Sequence, residues 1–429
     1  MTRPDIHGIL SASPDERPAV LEGGWLDLHD PQVTAATNPA SILEGDGQAL
    51  RELPVWLARN TAQFPEGGAI GYLSYELARA FEAVPLPFDP AIPDFSLAYY
   101  PEIRRLPSGT ADFSHPGPSA SSEALQGFDK EHFIADIERI RTYIASGDIY
   151  QANLTQRFTA RLAGFLPEEI YARLAGDRTP MRAFLKTPRA TVISHSPERF
   201  FRVRGNRILA SPIKGTLARS SNPAEDARGR QRLLASAKDR AENVMIVDLL
   251  RNDLGRICRY DSIDSQLWEI QALPHLFHLV SHVKGELKPK AGPDEIIRAL
   301  FPCGSITGAP KIRAMEILAE IERAPRGISM GAIGIIMGAP GSPEFEMDFN
   351  VAIRTITVRD QMAEFNVGSG IVHDSKPEAE YEEMLLKAQP LIEALGLEAP
   401  GAVEKKASEP PAVAAMSSSP SSRFKQSRR

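Results

Sequence analysis

Apolar residues recur at helical spacing in several stretches of the chain. The clearest set, which stops near residue 147, consists of Phe133, Ile134, Ile137, Ile140 and Ile144. Side chains that return every three to four positions share one face of a helix, so this stretch predicts a helix with one buried face. The same spacing predicts one long helix over about 224–251, a helix that opens at residues 304–311, and a last helix over about 377–395.

Strict alternation of polar and apolar residues predicts strands in other parts of the chain. The pattern is clear at residues 148–158, DIYQANLTQRF, where polar and apolar residues alternate along most of the stretch. Further strands are predicted at about 191–194, 277–286, 331–338, 348–358 and 363–372. Long strands in hairpins, with helices bunched between them, indicate an α+β protein with largely antiparallel sheets.

Changes in composition divide the chain into four parts. Residues 1–106 show mixed strand and turn patterns, and residues 107–127 are rich in Pro, Gly and Ser, which is typical of a linker. Residues 128–397 hold most of the predicted elements and the groups able to do chemistry, so we assign the catalytic region to them. Residues 398–429 lack an apolar period and are predicted to be a disordered tail.

The overall composition narrows the class of protein. The chain has 429 residues, 42% hydrophobic and 24% charged, which is ordinary for a globular enzyme. A formal charge of -6 gives no electrostatic reason to expect nucleic acid or a membrane surface as a partner. With only two cysteines, a disulfide framework is excluded and the cytoplasm is the expected compartment. Because the sequence contains no long apolar run, neither a signal peptide nor a membrane span is predicted.

The stretch Ser211-Pro212-Ile213-Lys214-Gly215-Thr216 predicts a turn that carries a single lysine. Proline fixes the backbone and glycine lets the chain turn, so the lysine between them is held in place. Near apolar neighbours a lysine loses its proton more easily than in water, and the neutral amine is a nucleophile. Taken alone, the stretch favours a surface turn with a solvated lysine.

Acidic side chains on two predicted helices suggest a metal site. Glu380, Glu383 and Lys387 share one face of the last helix, and Glu242 lies on the earlier long helix. Carboxylates brought together from two helices suit a hard divalent ion such as magnesium. The alternative is a solvated, salt-bridged helix face.

Other residues suggest an acid and an anion-binding pocket. Glu198 lies beside two phenylalanines, and an apolar setting raises a carboxyl pKa and suits a general acid; the alternative is a cap or a structural ion pair. Arg354, predicted inside a strand, needs an anion to pair with, and Gly368-Ser369-Gly370 can offer N–H groups to a carboxylate. His278 is a possible substrate contact rather than a metal ligand. Residues 304–311 do not match a phosphate-binding loop.

Nine ordered motifs connect these residues to a known family. They are GDIYQANLTQRF, SPERFF, SPIKGT, AENVMIVDLLRNDLGRI, HLVSHVKGEL, FPCGSITGAPKIRAMEIL, FNVAIRT, VGSGIV and EAEYEEMLLKA. The chain resembles the chorismate-utilising enzymes of the anthranilate synthase component I family from about residue 128 to 396. GGAIGYLSYELAR extends the likeness into the N-terminal part. The resemblance implies two large sheets packed as a sandwich with helices outside.

The resemblance also implies a set of ligands and roles. Chorismate would bind with magnesium, held by Glu242 and Glu383 with Glu380 nearby. The residues at matching substrate-binding positions are Gln151, His278, Ser305, Arg354, Gly368, Ser369, Gly370 and Lys387. Ammonia would come from a separate glutamine amidotransferase subunit. Ser329 and Ile336 depart from the family pattern, since relatives usually carry aromatic residues there.

Lys214 separates the branches of the family. Anthranilate synthases, the alternative assignment, carry a small residue in this turn, whereas aminodeoxychorismate synthases carry PIKGT. The resemblance implies that Lys214 attacks chorismate while Glu198 protonates the departing hydroxyl. Isochorismate synthases carry a lysine at the position of Gln151, and an amide cannot act as a base, which disfavours hydroxylation. Whether Glu198 or Gln151 carries the second proton stays open.

Overall fold

Helices and strands alternate irregularly along the chain. The computed structural model describes residues 6–26, 32–107, 125–176, 179–272, 276–338 and 344–398. Its α-helices are α1 (Ile6–Leu10), α2 (Leu53–Gln63), α3 (Lys130–Ala145), α4 (Pro167–Arg173), α5 (Pro223–Ala235), α6 (Ala237–Ile257), α7 (Pro293–Leu300), α8 (Lys311–Ile321) and α9 (Pro377–Ala394). Short 3-10 helices cover Pro14–Glu16, Ala49–Glu52, Tyr75–Ala80, Leu174–Gly176 and Gly304–Ile306.

Strands from both halves of the chain form two large sheets. In chain order they are β1 (Ala19–Gly23), β2 (Gln32–Ala36), β3 (Ser41–Gly45), β4 (Gly68–Leu73), β5 (Phe95–Tyr100), β6 (Arg104–Pro107), β7 (Gln151–Arg161), β8 (Met181–Lys186), β9 (Thr191–Ser196), β10 (Arg199–Arg204), β11 (Arg207–Ala210), β12 (Ile213–Ala218), β13 (Asp264–Ala272), β14 (Leu276–Glu286), β15 (Gly308–Ala309), β16 (Ala332–Gly338), β17 (Phe345–Val351), β18 (Thr355–Arg359) and β19 (Met362–Ile371). Sheet I has the order β15-β7-β19-β18-β9-β8-β1-β2-β6. Sheet II has the order β12-β14-β11-β10-β17-β16-β4-β5-β3, with β13 paired to β14. Neighbouring strands run antiparallel, as in the pairs β19–β7 and β16–β17.

Alternate residues of the strands pack into different layers. Ala183 and Leu185 of β8 join Ile70 and Tyr72 of β4 in an apolar cluster between the two sheets. Phe184 points the other way, into a cluster that includes residues of α3, α4, α8 and α9 on the outer face of sheet I. Helices α6 and α7 contribute to the corresponding cluster on sheet II. The predicted α+β sandwich with helices outside is confirmed.

The long helix predicted over about 224–251 is two helices. Helix α5 ends at Ala235 and α6 begins at Ala237. Ser236 between them is extended, with ψ 110, and its hydroxyl oxygen accepts a hydrogen bond of 3.3 Å from the backbone N–H of Asp239. A serine that caps the second helix stops the first one, and the apolar period cannot reveal this because it runs through the break.

The N-terminal region contains a helix that the predicted mixture of strand and turn left out. Helix α2 packs against sheet II through buried residues that include Leu53, Trp56 and Leu57. Strands β1, β2 and β6 join sheet I, and β3, β4 and β5 join sheet II. The boundary at residue 106 stays a prediction, while most of the predicted linker and tail lie outside the described residues. Within the described residues, no helix is long and apolar enough to cross a membrane.

Two segments of the chain cross from one sheet to the other. Strand β9 ends in sheet I at Ser196, and β10 begins in sheet II at Arg199. The single strand predicted over about 348–358 is likewise two strands, because β17 belongs to sheet II and β18 to sheet I. Residues 352–354 form the bend between them. A period of two identifies a strand but does not tell which sheet receives it.

Candidate active site

A cavity of about 730 Å³ lies where strands β12, β14 and β19 meet helices α6 and α9. Most of the predicted site residues line it together. They are Glu198, Lys214, Glu242, His278, Ser305, Arg354, Gly368, Gly370, Glu380, Glu383 and Lys387. These residues come from positions as far apart as 198 and 387, so the fold gathers the groups that the motifs identified.

Glu198 and Arg354 reach the cavity from the two sheet crossovers. The crossovers run side by side, because the N–H of Val351 donates to the carbonyl of Glu198 (3.0 Å) and the hydroxyl of Ser196 donates to the carbonyl of Val351 (2.6 Å). The N–H of His195 donates to the carbonyl of Arg354 (3.0 Å). Arg354 therefore lies at a bend and not inside a strand as predicted. Its φ of 50 is in the left-handed region, a strained conformation that often marks a functional position.

Glu198 is a buried carboxyl with an unusually high pKa. Burial raises its pKa to about 7, although a hydrogen bond from Ser305, the charge of Lys214 and the N–H of Ile213 each lower it. One carboxyl oxygen, Oε1, has no hydrogen-bond partner among the described residues. The raised pKa expected from the sequence is confirmed. A protonated carboxyl with a free oxygen beside a cavity can donate its proton to a bound molecule.

Lys214 sits on a strand with an irregular pairing, and the predicted turn is wrong. The pairing of β12 with β14 slips between Ile213 and Thr216, which places a bulge at Lys214. Gly215 has φ 83, and a Cβ there would lie 2.9 Å from Cγ of Asp239 on α6. Glycine is therefore required at the bulge. The bulge turns the lysine side chain out of the regular alternation and into the cavity.

Gln151 and Ser369 lie behind the wall of the cavity. A Cβ added to Gly370 would lie 2.6 Å from Nε2 of Gln151 and 3.8 Å from Nζ of Lys214. Both polar atoms of the Gln151 side chain lack a hydrogen-bond partner within the described chain. Ser369 instead donates a hydrogen bond to Glu380. Gln151 thus has hydrogen-bonding groups to spare next to Lys214, whereas Ser369 supports a carboxylate.

His278 is held as a neutral imidazole. Burial, together with the positive charge of Arg354, lowers its pKa to about 4. Its Nδ1 lies 2.9 Å from the hydroxyl oxygen of Thr216 on the neighbouring strand. At neutral pH the ring adds no charge to the cavity and can make a hydrogen bond through Nε2.

Beyond Glu364, one edge of β19 faces the cavity and has no neighbouring strand within the described residues. The ladder with β18 reaches only Glu364, whereas the ladder with β7 continues to Ile371. Lys387 donates from Nζ to the carbonyl of Gly368 (3.3 Å). Residues two apart in a strand direct their backbone groups to the same edge, so Gly370 presents its N–H to the cavity as Gly368 does. This edge can bind a carboxylate.

Comparison with known proteins identifies the family. A family model described as chorismate binding enzyme matches residues 25–393, which is more than half of the chain. The chain belongs to the chorismate-binding enzymes. Relatives with two different names are equally similar to it. Aminodeoxychorismate synthase component 1 of Escherichia coli (strain K12) is 34% identical over 388 residues, covering 85% of this chain and 84% of the relative.

Anthranilate synthase component 1 of Geobacillus stearothermophilus is 34% identical over 411 residues, covering 83% of this chain and 79% of the relative. Among solved structures, anthranilate synthase component I from Streptococcus pneumoniae TIGR4 has a TM-score of 0.71 at 26% identity. That match covers 91% of this chain and 95% of the solved one. Overall similarity therefore does not separate these two kinds of chorismate-binding enzyme.

The three carboxylates predicted to hold magnesium all face the cavity of this chorismate-binding enzyme but are partly engaged with other groups. Glu383 pairs with Lys387 (2.8 Å), and Glu380 accepts hydrogen bonds from Ser369 and Ser375. Glu242 lies 3.9 Å from Lys238. Across the described ranges, no three His, Cys, Asp or Glu side chains are close enough to form a metal cage.

The chemistry of these donors nevertheless fits a hard divalent cation. All three are carboxylates, the ligands that magnesium prefers. Burial raises the pKa of Glu242, and the negative charge of Glu380 raises it further despite the nearby cations Lys214 and Lys238. A buried carboxylate that is repelled by a second one gains stability from a cation between helices α6 and α9. To bind the ion, Glu383 would have to give up its ion pair with Lys387.

The motifs did not single out several residues that line the cavity. Asp239 lies one helical turn before Glu242, and this spacing of three was a usable signal on α6. Lys238, Asn153 and Asn366 also line the cavity, and no spacing in the sequence marks them. Ser329 is buried just behind Asn366, whose backbone N–H donates to its hydroxyl oxygen (3.1 Å).

Proposed function

We propose that this chorismate-binding enzyme aminates chorismate at C4 to give 4-amino-4-deoxychorismate, as the chorismate-handling component of an aminodeoxychorismate synthase. The proposal depends on one observation: the amine of Lys214 and the buried carboxyl of Glu198 face the same cavity. Relatives named for C4 amination and relatives named anthranilate synthase are equally similar, so overall identity does not favour either. Lys214 favours the first, because a nucleophile at this point allows a covalent route.

The cavity suits a substrate with two carboxylates and a hydrophobic ring. Arg354 and Lys387 supply positive charge, and the edge of β19 at Gly368–Gly370 supplies N–H groups. Neutral His278 can donate a hydrogen bond without competing for the anionic groups. Met330 and Ile353 add apolar surface for the ring. Such a set of contacts orients a flat dicarboxylate with one face toward Lys214.

The first chemical step forms a bond and breaks another across the ring. The neutral amine of Lys214 attacks C2, the ring electrons shift, and the C4–O bond breaks. Glu198, whose pKa is raised to about 7 by burial, gives its proton to the departing oxygen, which leaves as water. The adduct nitrogen loses a proton, so Glu198 can be reprotonated before the next turnover.

The second step reverses the electron shift. Ammonia adds at C4, the ring electrons return, and the C2–N bond to Lys214 breaks. A proton moves from the new ammonium group to the departing lysine nitrogen, so chorismate and ammonia give aminodeoxychorismate and water. Gln151, with both polar atoms of its side chain unpaired within the described chain, is available to hold the incoming ammonia.

The residues also suggest which other components the reaction needs. When magnesium is bound, it neutralises the ring carboxylate of chorismate, and Glu242 and Glu383 would hold it with Glu380 nearby. Burial raises the thiol pKa of Cys258 to about 11 and that of Cys303 to about 12, so neither thiol is an active nucleophile at neutral pH. A separate glutamine amidotransferase subunit would therefore supply the ammonia, with added ammonium salts as a substitute.

Product identity is the direct test. The purified protein is incubated with chorismate, magnesium and an ammonium salt, and we expect a non-fluorescent aminated chorismate by mass spectrometry. Release of fluorescent anthranilate would overturn the assignment. Intact-protein mass under turnover should show an adduct that Lys214→Ala abolishes. Lys238→Ala, which removes another amine lining the cavity, should keep the adduct.

A further inference from the structure

The carboxyl of Glu380 is held by two buried serines at the wall of the cavity. Ser369 on β19 donates a hydrogen bond to its Oε2, and Ser375, between β19 and α9, donates to its Oε1 (2.7 Å). The backbone N–H of Val372 in turn donates to the hydroxyl oxygen of Ser375 (3.1 Å). All three polar side chains are buried. Glu380 thus fastens helix α9 to the end of β19 and to the turn that joins them.

Ser369 is a polar position in a packing face that is otherwise apolar. Phe365, Val367 and Ile371 of β19 belong to the outer cluster of sheet I, together with residues of α9. Residues two apart on a strand share one face, so Ser369 points toward α9 as they do. If α9 moved along β19, Ser369 and Glu380 would both lose a partner while buried, which is costly. The bond between them therefore fixes the register of the helix on the strand.

The same helix reaches the strand at a second point. Lys387 donates from Nζ to the carbonyl of Gly368 (3.3 Å), which precedes Ser369 in the chain. Lys387 also pairs with Glu383 (2.8 Å), which lies on the same face of the helix. The register that Glu380 fixes therefore decides where these groups meet the strand.

The strand segment at this point has few other restraints. Strand β7 pairs with β19 as far as Ile371, but the pairing of β18 with β19 ends at Glu364, and within the described residues no other strand continues it. Glycines at both ends of Gly368–Gly370 leave the backbone freer than residues with side chains would. Its edge faces the cavity, where it can bind a carboxylate. The hydrogen bond from Ser369 to Glu380 restrains that edge.

We propose that Glu380 is a positioning residue for the substrate-binding edge of β19 and not a ligand of the ion. Its bonds to Ser369 and Ser375 engage both carboxyl oxygens and hold Gly368–Gly370 in the geometry that binds a carboxylate. The ion is left to the other two carboxylates. The proposal rests on the carboxylate-binding role proposed for this edge, and it holds whichever carbon of chorismate is aminated.

The test is the KM for chorismate, measured with increasing magnesium in variants that keep the charge of Glu380. Ser369→Ala should raise KM about tenfold at saturating magnesium with kcat within about twofold, because binding shared by the ground state and the transition state is weakened. Ser375→Ala, which loosens the carboxyl but not the strand, should raise KM about threefold. Ser369→Cys, a weaker donor, should lie between wild type and Ser369→Ala. Return of KM to the wild-type value at saturating magnesium would overturn the proposal, since Glu380 would then serve the ion.

Ser96→Ala is the matched control for stability. Ser96 is a buried serine on β5 that donates to the carboxyl of Glu44 (3.0 Å), and neither residue lines the cavity. This variant should lower the melting temperature about as much as Ser369→Ala and leave KM unchanged. A Ser369→Ala protein with the same loss of melting temperature but wild-type KM would show that Glu380 only packs.

Hydrogen exchange gives a readout that needs neither substrate nor ion. In protein freed of metal with a chelator, the peptide spanning residues 365–371 should exchange faster in Ser369→Ala and Ser375→Ala than in wild type or Ser96→Ala, because the segment is less restrained. Unchanged exchange in both variants would also overturn the proposal. Faster exchange together with anthranilate as the product would support it and overturn only the amination at C4.

Discussion

Two buried glutamates have pKa values raised to about 7 by burial, yet their surroundings differ. The carboxyl of Glu76 accepts hydrogen bonds from the backbone N–H groups of Arg326 and Gly327 and from the hydroxyl of Ser74. Glu198 has an oxygen, Oε1, without a partner among the described residues. A carboxyl with satisfied oxygens stabilises the fold, whereas one with a free oxygen beside a cavity can act on a substrate.

The contrast extends to the cations next to each glutamate. Arg326 is buried and pairs with Glu322 (2.7 Å), and it donates to the carbonyls of Asn153 and Ile306 directly behind the cavity wall. Lys214 projects from a bulge into the cavity itself. The structural cluster around Glu76 therefore supports the wall of the cavity, and the proposed catalytic groups lie on the other side of that wall.

Replacing each glutamate by glutamine tests this contrast. Equal effects of the two substitutions on activity and stability would contradict it. Glu198→Gln removes the proton donor and should lower kcat by about 10²–10⁴-fold with little change in the melting temperature. Glu76→Gln places an N–H₂ group against backbone N–H donors and should cost about 1–3 kcal/mol of stability while folded protein keeps its activity. Steady-state kinetics and urea unfolding of both variants check this. Loss of activity in fully folded Glu76→Gln would contradict it.

Removal of the cation in the structural cluster should act on stability alone. Arg326→Met removes the cation from Glu322, whose side chain is 9% exposed, and should lower the free energy of unfolding by about 3–5 kcal/mol. Arg323→Met, three positions away and exposed, should change it by less than about 0.5 kcal/mol. Denaturant unfolding measures both. A stable Arg326→Met with reduced kcat would instead assign Arg326 to catalysis.

The raised pKa of Glu198 predicts how activity depends on pH. The acid must carry its proton, so activity is present below the pKa of about 7 and declines above it. Above this pKa, kcat/KM should fall by up to about tenfold per pH unit. The measurement is kcat/KM for chorismate between pH 6 and 9 with ammonia, not ammonium, held constant. A decline near pH 7 that persists unchanged in Glu198→Gln would exclude Glu198 as its source.

The raised pKa of Glu76 predicts a parallel effect on stability. Its pKa in the fold is about 7 against an ordinary value of 4.5, so it contributes stability that is full below pH 4.5 and is lost as pH rises through 7. The raised pKa of Glu198 changes the free energy of unfolding with pH in the same direction. The free energy of unfolding should therefore decrease between pH 5 and 8, and less steeply in Glu76→Gln. Urea titrations at several pH values check the slope.

The smallest predicted effect concerns the space between Gln151 and Lys214. Gly370→Ala puts a Cβ 2.6 Å from the Gln151 amide, which must shift, and we expect about a tenfold loss of kcat/KM. Gly255→Ala is a matched control, because within the described chain nothing lies within 4 Å of the added carbon. In a helix this change should add about 0.5–1 kcal/mol of stability. If Gly370→Ala and Gly255→Ala had the same kcat/KM, the space between Gln151 and Lys214 would have no role in activity.

Much of the fold was predictable because period and composition report local structure. Helices α3 and α9 and strands β7, β14, β16 and β19 lie where the patterns predicted them. Helix α2 is absent from the predicted mixture of strand and turn, although Leu53, Trp56, Leu57 and Thr61 have helical spacing. The break at Ser236 was missed because apolar spacing continues across it.

The site was predictable in its members but not in its geometry. The motifs named eleven of the residues that line the cavity, and family resemblance supplied most of that information. No local pattern shows that Glu198 and Arg354 lie at crossings between sheets, or that Lys214 lies on a bulge, because both depend on strands distant in the sequence. The engagement of Glu383 by Lys387 is likewise a property of the folded helix face.

The paired crossovers tie the site to the global stability of the molecule. Glu198 and Arg354 are carried by segments that are hydrogen-bonded to each other and anchored in both sheets. Local opening of a lid or loop does not release them; only separation of the sheets does. The backbone amide of Val351 should therefore exchange with solvent as slowly as those of the core strands. Heat inactivation should follow global unfolding without an earlier, reversible loss of activity.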